Sequence, residues 1–345
     1  MNVQHYIGFD VHKKSVSYCV KSSDGVIAEE GKIPARREAL RQWAEKRIAP
    51  WSGAMEATLF SGWIFDTLKP FAVQLQMGHP AMMKAIGAAK KKSDKLDARV
   101  IADLLRANLL PACWVAPPEI RQLRRLLRYR TLVVRQAVQM KNKIAGLLME
   151  TGAEYNKQQL HGEHYFHDLL DRLEETPESV KDLLRLSRAA LETFEGVEQQ
   201  LLARLRKDPS LRQRIERLKS IRGVGDVTAL TWALEIGEVS RFASIADAVS
   251  YCGLTAALVS SADKTQRGPL SKQRNAHLQW VLIEAAKLAP RWNAQLAALH
   301  DRELARGHRN RATLVVARKL VAYLMAVDKS GVPFVAPAAE VTQAA

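Results

Sequence analysis

Tyr6-Ile7-Gly8-Phe9-Asp10-Val11 is the stretch that decides the fold of the N-terminal part of this chain. Apolar side chains fill it, a glycine interrupts them, and a carboxylate stands next to its end. Residues of this kind at this density predict a buried strand, and an aspartate inside such a strand is costly unless something compensates its charge. Working outward, residues 15–22 read as a second strand. Ser23-Asp24-Gly25 is a hairpin-turn signal, and residues 26–33 complete a three-strand meander. A helix over 36–48, a strand over 52–57, a helix over 60–69 and a strand over 72–77 follow. Lys90-Lys91-Lys92 then leads to Ser93, an N-cap residue for a helix reaching residue 108. Pro111, Pro117 and Pro118 close this α/β domain, which the sequence places at residues 1–118.

Lys and Arg number 52 against 36 Asp and Glu, a net charge of +16 in 345 residues. Such a surplus points to a polyanionic partner, nucleic acid before others; the plainer alternative is a basic protein without one. Cys19, Cys113 and Cys252 are odd in number and form no CxxC pair. This argues against a disulfide framework or zinc knuckle and fits a reducing cytoplasm. No apolar run has the length of a membrane span, and the N-terminus lacks the pattern of a signal peptide.

Between Glu119 and Glu150 there is no acidic residue, while Arg121, Arg124, Arg125, Arg128, Arg130, Arg135, Lys141 and Lys143 recur on a helical background. A solvated helix face usually mixes signs, so this one favours phosphate contact. In the helix over 178–206, Leu184, Leu191, Phe194, Val197, Leu201 and Leu205 recur at near-heptad spacing. They suit either a coiled-coil arm that pairs protomers or one hairpin of an ordinary bundle. Residues 119–219 thus form a basic and coiled-coil-like helical linker. The part over 220–330 is mostly α and begins with Ile221-Arg222-Gly223-Val224-Gly225. That run is either the turn of a helix-hairpin-helix-like motif facing DNA phosphates or a plain helix-packing turn. Residues 245–251 read as a helix, 253–270 as a loop, and 272–288 and 311–325 as helices. A flexible tail covers 331–345. His161, His164 and His167, spaced by three, lack a fourth ligand nearby and read as a solvated or RNA-facing patch rather than a zinc site.

Four carboxylates stand out by position. Asp10 lies in the first strand, Glu56 closes the strand Gly53-Ala54-Met55-Glu56, and Asp94 and Asp97 share one helix face three residues apart. Converging carboxylates are tolerated where Mg²⁺ neutralises them, and paired Mg²⁺ ions stabilise attacking and leaving oxygens at a phosphate. Taken singly, each has a structural explanation: a helix-terminus charge for Asp94, an ion pair for Asp97, a surface charge for Glu56.

Tyr-Ile-Gly-Phe-Asp at 6–10, Met-Glu-Ala-Thr at 55–58 and Lys-Ser-Asp-Lys-Leu-Asp-Ala at 92–98 carry a family resemblance. So do Gly-Val-Gly at 223–225, Gly-Leu-Thr at 253–255 and Leu-Ser-Lys-Gln-Arg-Asn at 270–275. Together they resemble the DEDD transposases of the "one-ten" family of bacterial insertion sequences, bridge-RNA-guided recombinases. The resemblance spans nearly the whole chain and is weakest between 150 and 215. It implies an RNase H-like N-terminal domain similar to RuvC, a Holliday-junction nuclease. The family's acidic quartet falls on Asp10, Glu56, Asp94 and Asp97 as Mg²⁺ ligands beside the scissile phosphate. It also implies a nucleophilic serine after Gly-Leu-Thr, which falls on Ser261 with Ser260 one register away; Asp263 and His277 are the nearest bases in sequence. Family members often carry Gly where Arg274 stands and Arg where Gln279 stands. The partners it implies are donor and target duplex DNA, a structured non-coding guide RNA and further copies of the chain, as a tetramer, with no membrane. Arg121, Arg124, Arg125, Arg128, Lys141, Lys143, Lys264, Arg267 and Lys272 are the candidate nucleic-acid contacts. Arg302, Arg306, His308, Arg309 and Arg311 form a second basic cluster, which suits either a strand clamp or a solvated loop.

Three other classes compete with an RNA-guided recombinase. One is a structure-selective nuclease using only the acidic site. Another is a non-catalytic nucleic-acid-binding protein. The last is an actin-like phosphotransferase, which lacks its glycine-rich phosphate loop here because His12-Lys13-Lys14 follows Asp10 and Val11.

Overall fold

The computed structural model describes residues 3–86, 94–261 and 264–335, with the side chains of residues 85, 94–96, 258–261 and 264–267 outside that description. Ser93 and its preceding lysines, Asp263 and the tail beyond 335 therefore lie outside the described residues. The chain divides into two compact units, Met1–Pro118 and Glu119–Ala345.

The first unit opens with β1 (His5–Val11), β2 (Ser15–Ser22) and β3 (Ile27–Pro34), an antiparallel meander. Gly25, with φ +92°, makes the turn between β2 and β3. Then come α1 (Arg37–Glu45), β4 (Trp51–Glu56), α2 (Ser61–Leu68), β5 (Gln74–Gly78), α3 (Pro80–Ile86), α4 (Asp94–Arg106) and the short β6 (Ala112–Cys113). The six strands form one mixed sheet in the order β3-β2-β1-β4-β5-β6, with β4 parallel to β1 and β5 parallel to β4. This is an RNase H-like arrangement. β1 is central and buried on both faces, which is why it reads as an apolar run. β3, at the edge, exposes Glu29 and Lys32, charges that discourage pairing with another sheet.

The two faces of β1 meet different neighbours. Ile7, Phe9 and Val11 join the core that contains Trp51, Ile64 and Leu68. In that core Phe9 lies edge-on to Trp43 and Trp51 at 5.5 and 6.0 Å. Gly8 faces α4 on the other side. A Cβ there would lie 2.0 Å from the Ala98 carbonyl oxygen and 2.5 Å from the Ala102 nitrogen, so only glycine allows this approach.

The second unit is helical apart from one ribbon. α5 (Pro118–Glu150), α6 (Glu163–Arg172), α7 (Glu178–Arg206), α8 (Pro209–Lys219), α9 (Asp226–Ile236) and α10 (Ile245–Tyr251) come first. β7 (Ala256–Ser261) and β8 (Lys264–Leu270) form an antiparallel hairpin, and α11 (Ala276–Leu288), α12 (Ala294–Ala305) and α13 (Arg309–Ser330) complete it. The loop expected over 253–270 is thus mostly two strands. Gly268 and Pro269 broke the sequence pattern, and in the structure they occupy an irregularity where the register shifts.

The heptad-like leucines of α7 are used inside the unit. Leu184 and Leu191 are buried with Ile144, Leu147 and Leu148 of α5 and Phe166 and Leu169 of α6. Leu205 joins the larger C-terminal core. Leu184, Leu191 and Leu205 thus pack within the unit, as in a bundle, while Phe194, Val197 and Leu201 of the same stripe are half-buried. Gly223, with φ +96°, turns α8 into α9, and a Cβ there would meet Ala289 at 2.6 Å. This glycine is required by helix packing. Asp226, in the first turn of α9, pairs with Arg206 at 2.5 Å and Lys219 at 3.0 Å, so that helix start already holds its own anion. No described helix is long and apolar enough to cross a membrane.

Candidate functional site

Side-chain alternation brings two of the four carboxylates to one face. Gly8 pairs with Ala54 and Phe9 with Met55 across β1 and β4, so Asp10 and Glu56 come next in register at the same ends of neighbouring parallel strands. Gly8 touches α4, and Ala54 is buried with Ile101, Leu104 and Leu105 of α4. Asp10 and Glu56, two residues further on, belong to the same face.

The direction of α4 places its start at that end. Arg99 pairs with Glu30 at 2.5 Å, Lys21 with Asp103 at 2.6 Å, and Arg106 reaches the Ser23 carbonyl at 3.4 Å. These contacts step along β2 and β3 towards the β2–β3 turn, so α4 runs antiparallel to β1. From Ala98 back to Asp94 is about 6 Å of helix, and from Gly8 to Asp10 about 7 Å of strand. The first turn of α4, which carries Asp94 and Asp97, is therefore level with Asp10. The Asp94 side chain lies outside the described residues; Asp97 is half-buried.

Asp10 is 9% exposed and its Oδ2 lies 2.9 Å from His12 Nε2. Asp10, Glu56 and Asp97 offer the hard oxygen donors that Mg²⁺ prefers, so the donor set fits such an ion in kind. Among the described side chains, no three His, Cys, Asp or Glu are gathered into one coordination sphere.

In the second unit, Ser261 is the last residue of β7, paired with Lys264, and Ser260 pairs with Thr265. Both serines are at the tip of the hairpin, with two residues between the strands. Their side chains, and those of Lys264 and Arg267, lie outside the described residues. Lys272 is exposed.

The basic helix α5 divides into two populations. Arg128 holds Glu235 through two hydrogen bonds of 2.8 Å, and Arg124 donates to the Leu234 carbonyl at 2.5 Å. Arg130 pairs with Glu198, and Lys141 with Glu195 at 2.8 Å. These cations have internal partners that sequence reading did not supply, because the acids come from α7 and α9. Arg125, Arg135 and Lys143 are exposed, and Arg121 is partly buried. In the second basic cluster, Glu303 is buried and takes Arg306 at 2.8 Å and Arg311 at 2.9 Å, while Arg302, His308 and Arg309 are exposed. His164 and His167 are exposed on α6, and burial lowers the pKa of His161.

Residues 7–152 match the family model for the DEDD transposases of IS110, described as a transposase. Residues 215–301 match a second one, described as the transposase IS116/IS110/IS902 family. The chain belongs to the IS110 family of DEDD transposases. Curated relatives of this transposase agree. A putative transposase y4qE of Sinorhizobium fredii is 22% identical over 286 residues, covering 81% of this chain and 70% of the relative. The transposase for insertion sequence element IS1111A of Coxiella burnetii is 25% identical over 293 residues, covering 81% and 76%. A probable family 20 transposase of Pseudomonas aeruginosa is 26% identical over 230 residues, covering 63% and 66%. Transposases cleave and join DNA, so this IS110-family chain is an enzyme.

One residue of the IS110-family transposase escaped sequence reading. Glu235 is fully buried within α9, where its neighbours from Thr228 to Ile236 are buried too. Burial raises its carboxyl, but the hydrogen bonds and charge of Arg128, with Asn275 and Arg124 behind, bring it below its ordinary value. An acid at the far end of a largely apolar helix, away from the Asp226 of its first turn, was the available signal.

Proposed function

We propose that this transposase is an RNA-guided DNA recombinase that cuts and rejoins strands through a Mg²⁺-dependent acidic site and a serine nucleophile. The observation that carries the reading is the acidic face: Asp10 and Glu56 end neighbouring parallel strands where α4 begins with Asp94 and Asp97. In this reading Asp10, Glu56, Asp94 and Asp97 hold the metal in a RuvC-like domain. When bound, Mg²⁺ would polarise the scissile phosphate and offset charge building on its oxygens.

Ser261, or Ser260 one register earlier, supplies the nucleophile. Its Oγ forms a bond to phosphorus as the bond from phosphorus to the 3′ oxygen breaks. The serine proton passes to solvent or a base, and the leaving 3′ oxygen takes up a proton. The product is a 5′-phosphoserine diester, which keeps the bond energy needed for rejoining. The position of both serines at the tip of the hairpin suits a group that must reach into a duplex.

The net charge of +16 and the exposed Arg125, Arg135 and Lys143 support a nucleic-acid surface on α5, shared by DNA and a structured guide RNA. Recombination of two duplexes calls for several copies of the chain, in this reading a tetramer.

The test is Asp10→Asn. It removes a ligand charge and keeps the size of the side chain, so the variant folds and binds nucleic acid while Mg²⁺-dependent strand cleavage disappears. Wild-type recombination by Asp10→Asn contradicts the assignment.

A further inference from the structure

The β7–β8 hairpin is a two-stranded ribbon, which has little stability of its own in water. Its direction is set at its root. The first foot is Gly253-Leu254-Thr255. The Gly253 carbonyl accepts from Gln279 Nε2 at 2.6 Å and the Leu254 carbonyl from Arg318 Nε at 2.8 Å. The second foot runs from Ser271 to Asn275, and the Ser271 amide donates to the Thr255 carbonyl at 3.0 Å, joining the two feet.

Asn275 fastens the second foot with every polar group it has. Its amide donates to the Tyr251 carbonyl at 2.9 Å, and its Oδ1 caps α11 by accepting from the amides of His277 and Leu278 at 3.1 and 3.2 Å. Its Nδ2 donates to Glu235 Oε2 at 2.9 Å. Glu235 is fully buried and takes Arg128 on both oxygens, while its backbone carbonyl accepts from Arg124 Nη2 at 3.2 Å and from the Tyr251 hydroxyl at 3.3 Å. Glu235 therefore ties α5 and the hairpin root together through its carboxylate, and α10 through its backbone carbonyl.

We propose that Glu235 is a positioning residue for strand attack: through Asn275 it fixes the angle at which the hairpin presents its serine. The proposal rests on the serine reading above. The lever is long. Six residues from Thr255 to Ser261 span about 20 Å, so a tilt of about 3° at the root moves the tip by about 1 Å. A misplacement of that size costs on the order of a hundredfold in rate.

Glu235→Gln, Asn275→Asp and the double variant test this, each as full chain with its co-purifying RNA, Mg²⁺ and a supercoiled plasmid bearing the element's ends. Glu235→Gln turns an amide donor towards Asn275 or Arg128. Asn275→Asp sets a second carboxylate against the first. The double variant restores the donor–acceptor pair between the two positions with the roles exchanged, but gives up the Arg128 Nη2 bond, which shares Glu235 Oε2 with Asn275. Asp328→Asn is the control. It weakens the contacts of Asp328 with Arg214 and with Trp232 Nε1 (3.0 Å), which also hold α9 but not the hairpin root.

Each single variant is expected to form the covalent protein–DNA adduct about a hundredfold more slowly, with plasmid binding unchanged. The double variant is expected to form the adduct faster than either single variant. Adduct formation at wild-type rate in both single variants overturns the proposal. So does a loss that Asp328→Asn reproduces at equal melting temperature, because the effect is then only stability. If the wild type forms no adduct, the serine reading fails on its own. Hydrogen exchange at the Ser271 and Asn275 amides then decides the clamp: faster exchange in Glu235→Gln supports it and unchanged exchange overturns it.

Discussion

Gly8→Ala tests how the acidic face is built. The new methyl carbon would lie 2.0 Å from the Ala98 carbonyl oxygen, 2.5 Å from the Ala102 nitrogen and 3.1 Å from the Ala98 carbonyl carbon. All three are backbone atoms of α4, so no side chain can turn away. Real Cβ atoms essentially never approach closer than 3.0 Å, so α4 must retreat from β1 by at least 1.0 Å, the difference between 3.0 and 2.0. Overpacking of this kind costs about 1–3 kcal/mol. The retreat also carries Asp94 and Asp97 away from Asp10 and Glu56, and a displacement near 1 Å at a reacting centre costs about a hundredfold in rate. Gly53→Ala is the matched control. Its Cβ would meet the side chains of Trp51, Leu75 and Phe9 at 2.8–2.9 Å, on the opposite face of the sheet. The assay is Mg²⁺-dependent strand cleavage, with urea unfolding measured in parallel. Gly8→Ala should lose far more activity than Gly53→Ala at comparable stability. Equal activity losses, or wild-type cleavage by Gly8→Ala, would refute the reasoning.

Four further outcomes follow from the second unit. Arg128→Ala leaves the buried Glu235 carboxylate with Arg124 at 3.9 Å as its nearest remaining cation, and should cost about 3 kcal/mol in urea unfolding. Stability should fall on acidification in two windows. His277 is lowered from 6.5, chiefly by burial, so the unfolded chain takes up its proton first and stability drops as pH falls below 6.5. Glu235 is lowered from 4.5, so its contribution is complete above 4.5 and is lost as pH falls through the lower folded value; melting curves of His277→Gln should show a smaller first drop, the remainder coming from His161, which burial also lowers from 6.5. Leu184→Ala or Leu191→Ala should cost about 3 kcal/mol in chain stability, without dissociating an assembly at fixed folded fraction, as light scattering would show. Arg125→Ala should reduce the salt dependence of nucleic-acid binding by about one unit of slope, whereas Arg130→Ala should leave it nearly unchanged.

Much of the first unit was legible because its signals are local. The meander, the turn at Gly25 and the alternation from β1 to β5 are periodicity and turn chemistry, and their observed bounds differ from the expected ones by three residues at most. The helix over 178–206 was equally plain. What its leucines pack against was not, because a heptad stripe looks the same whether a neighbouring helix comes from the same chain or another. The β7–β8 hairpin was read as a loop, since Ala-Ala-Leu-Val-Ser-Ser does not alternate and Gly268-Pro269 punctuates its partner strand. The cations of α5 looked uniform in sequence. Only tertiary structure separates Arg128, held by an acid 107 residues away, from the exposed Arg125. The level of Asp94 against Asp10 likewise needed the direction of α4, which is set by Arg99, Asp103 and Arg106 and their partners.

The most direct measurement is denaturing electrophoresis of end-labelled element DNA incubated with the full chain, the RNA that co-purifies with it and Mg²⁺, followed by mass spectrometry of any linked peptide. The account predicts a 5′-phosphate adduct on the peptide that contains Ser260 and Ser261, present in wild type and absent from both Ser261→Ala and Asp10→Asn. Mg²⁺-dependent cleavage that leaves only free DNA ends, unaffected by the Ser260→Ala, Ser261→Ala double variant, would contradict it and leave an acidic-site nuclease.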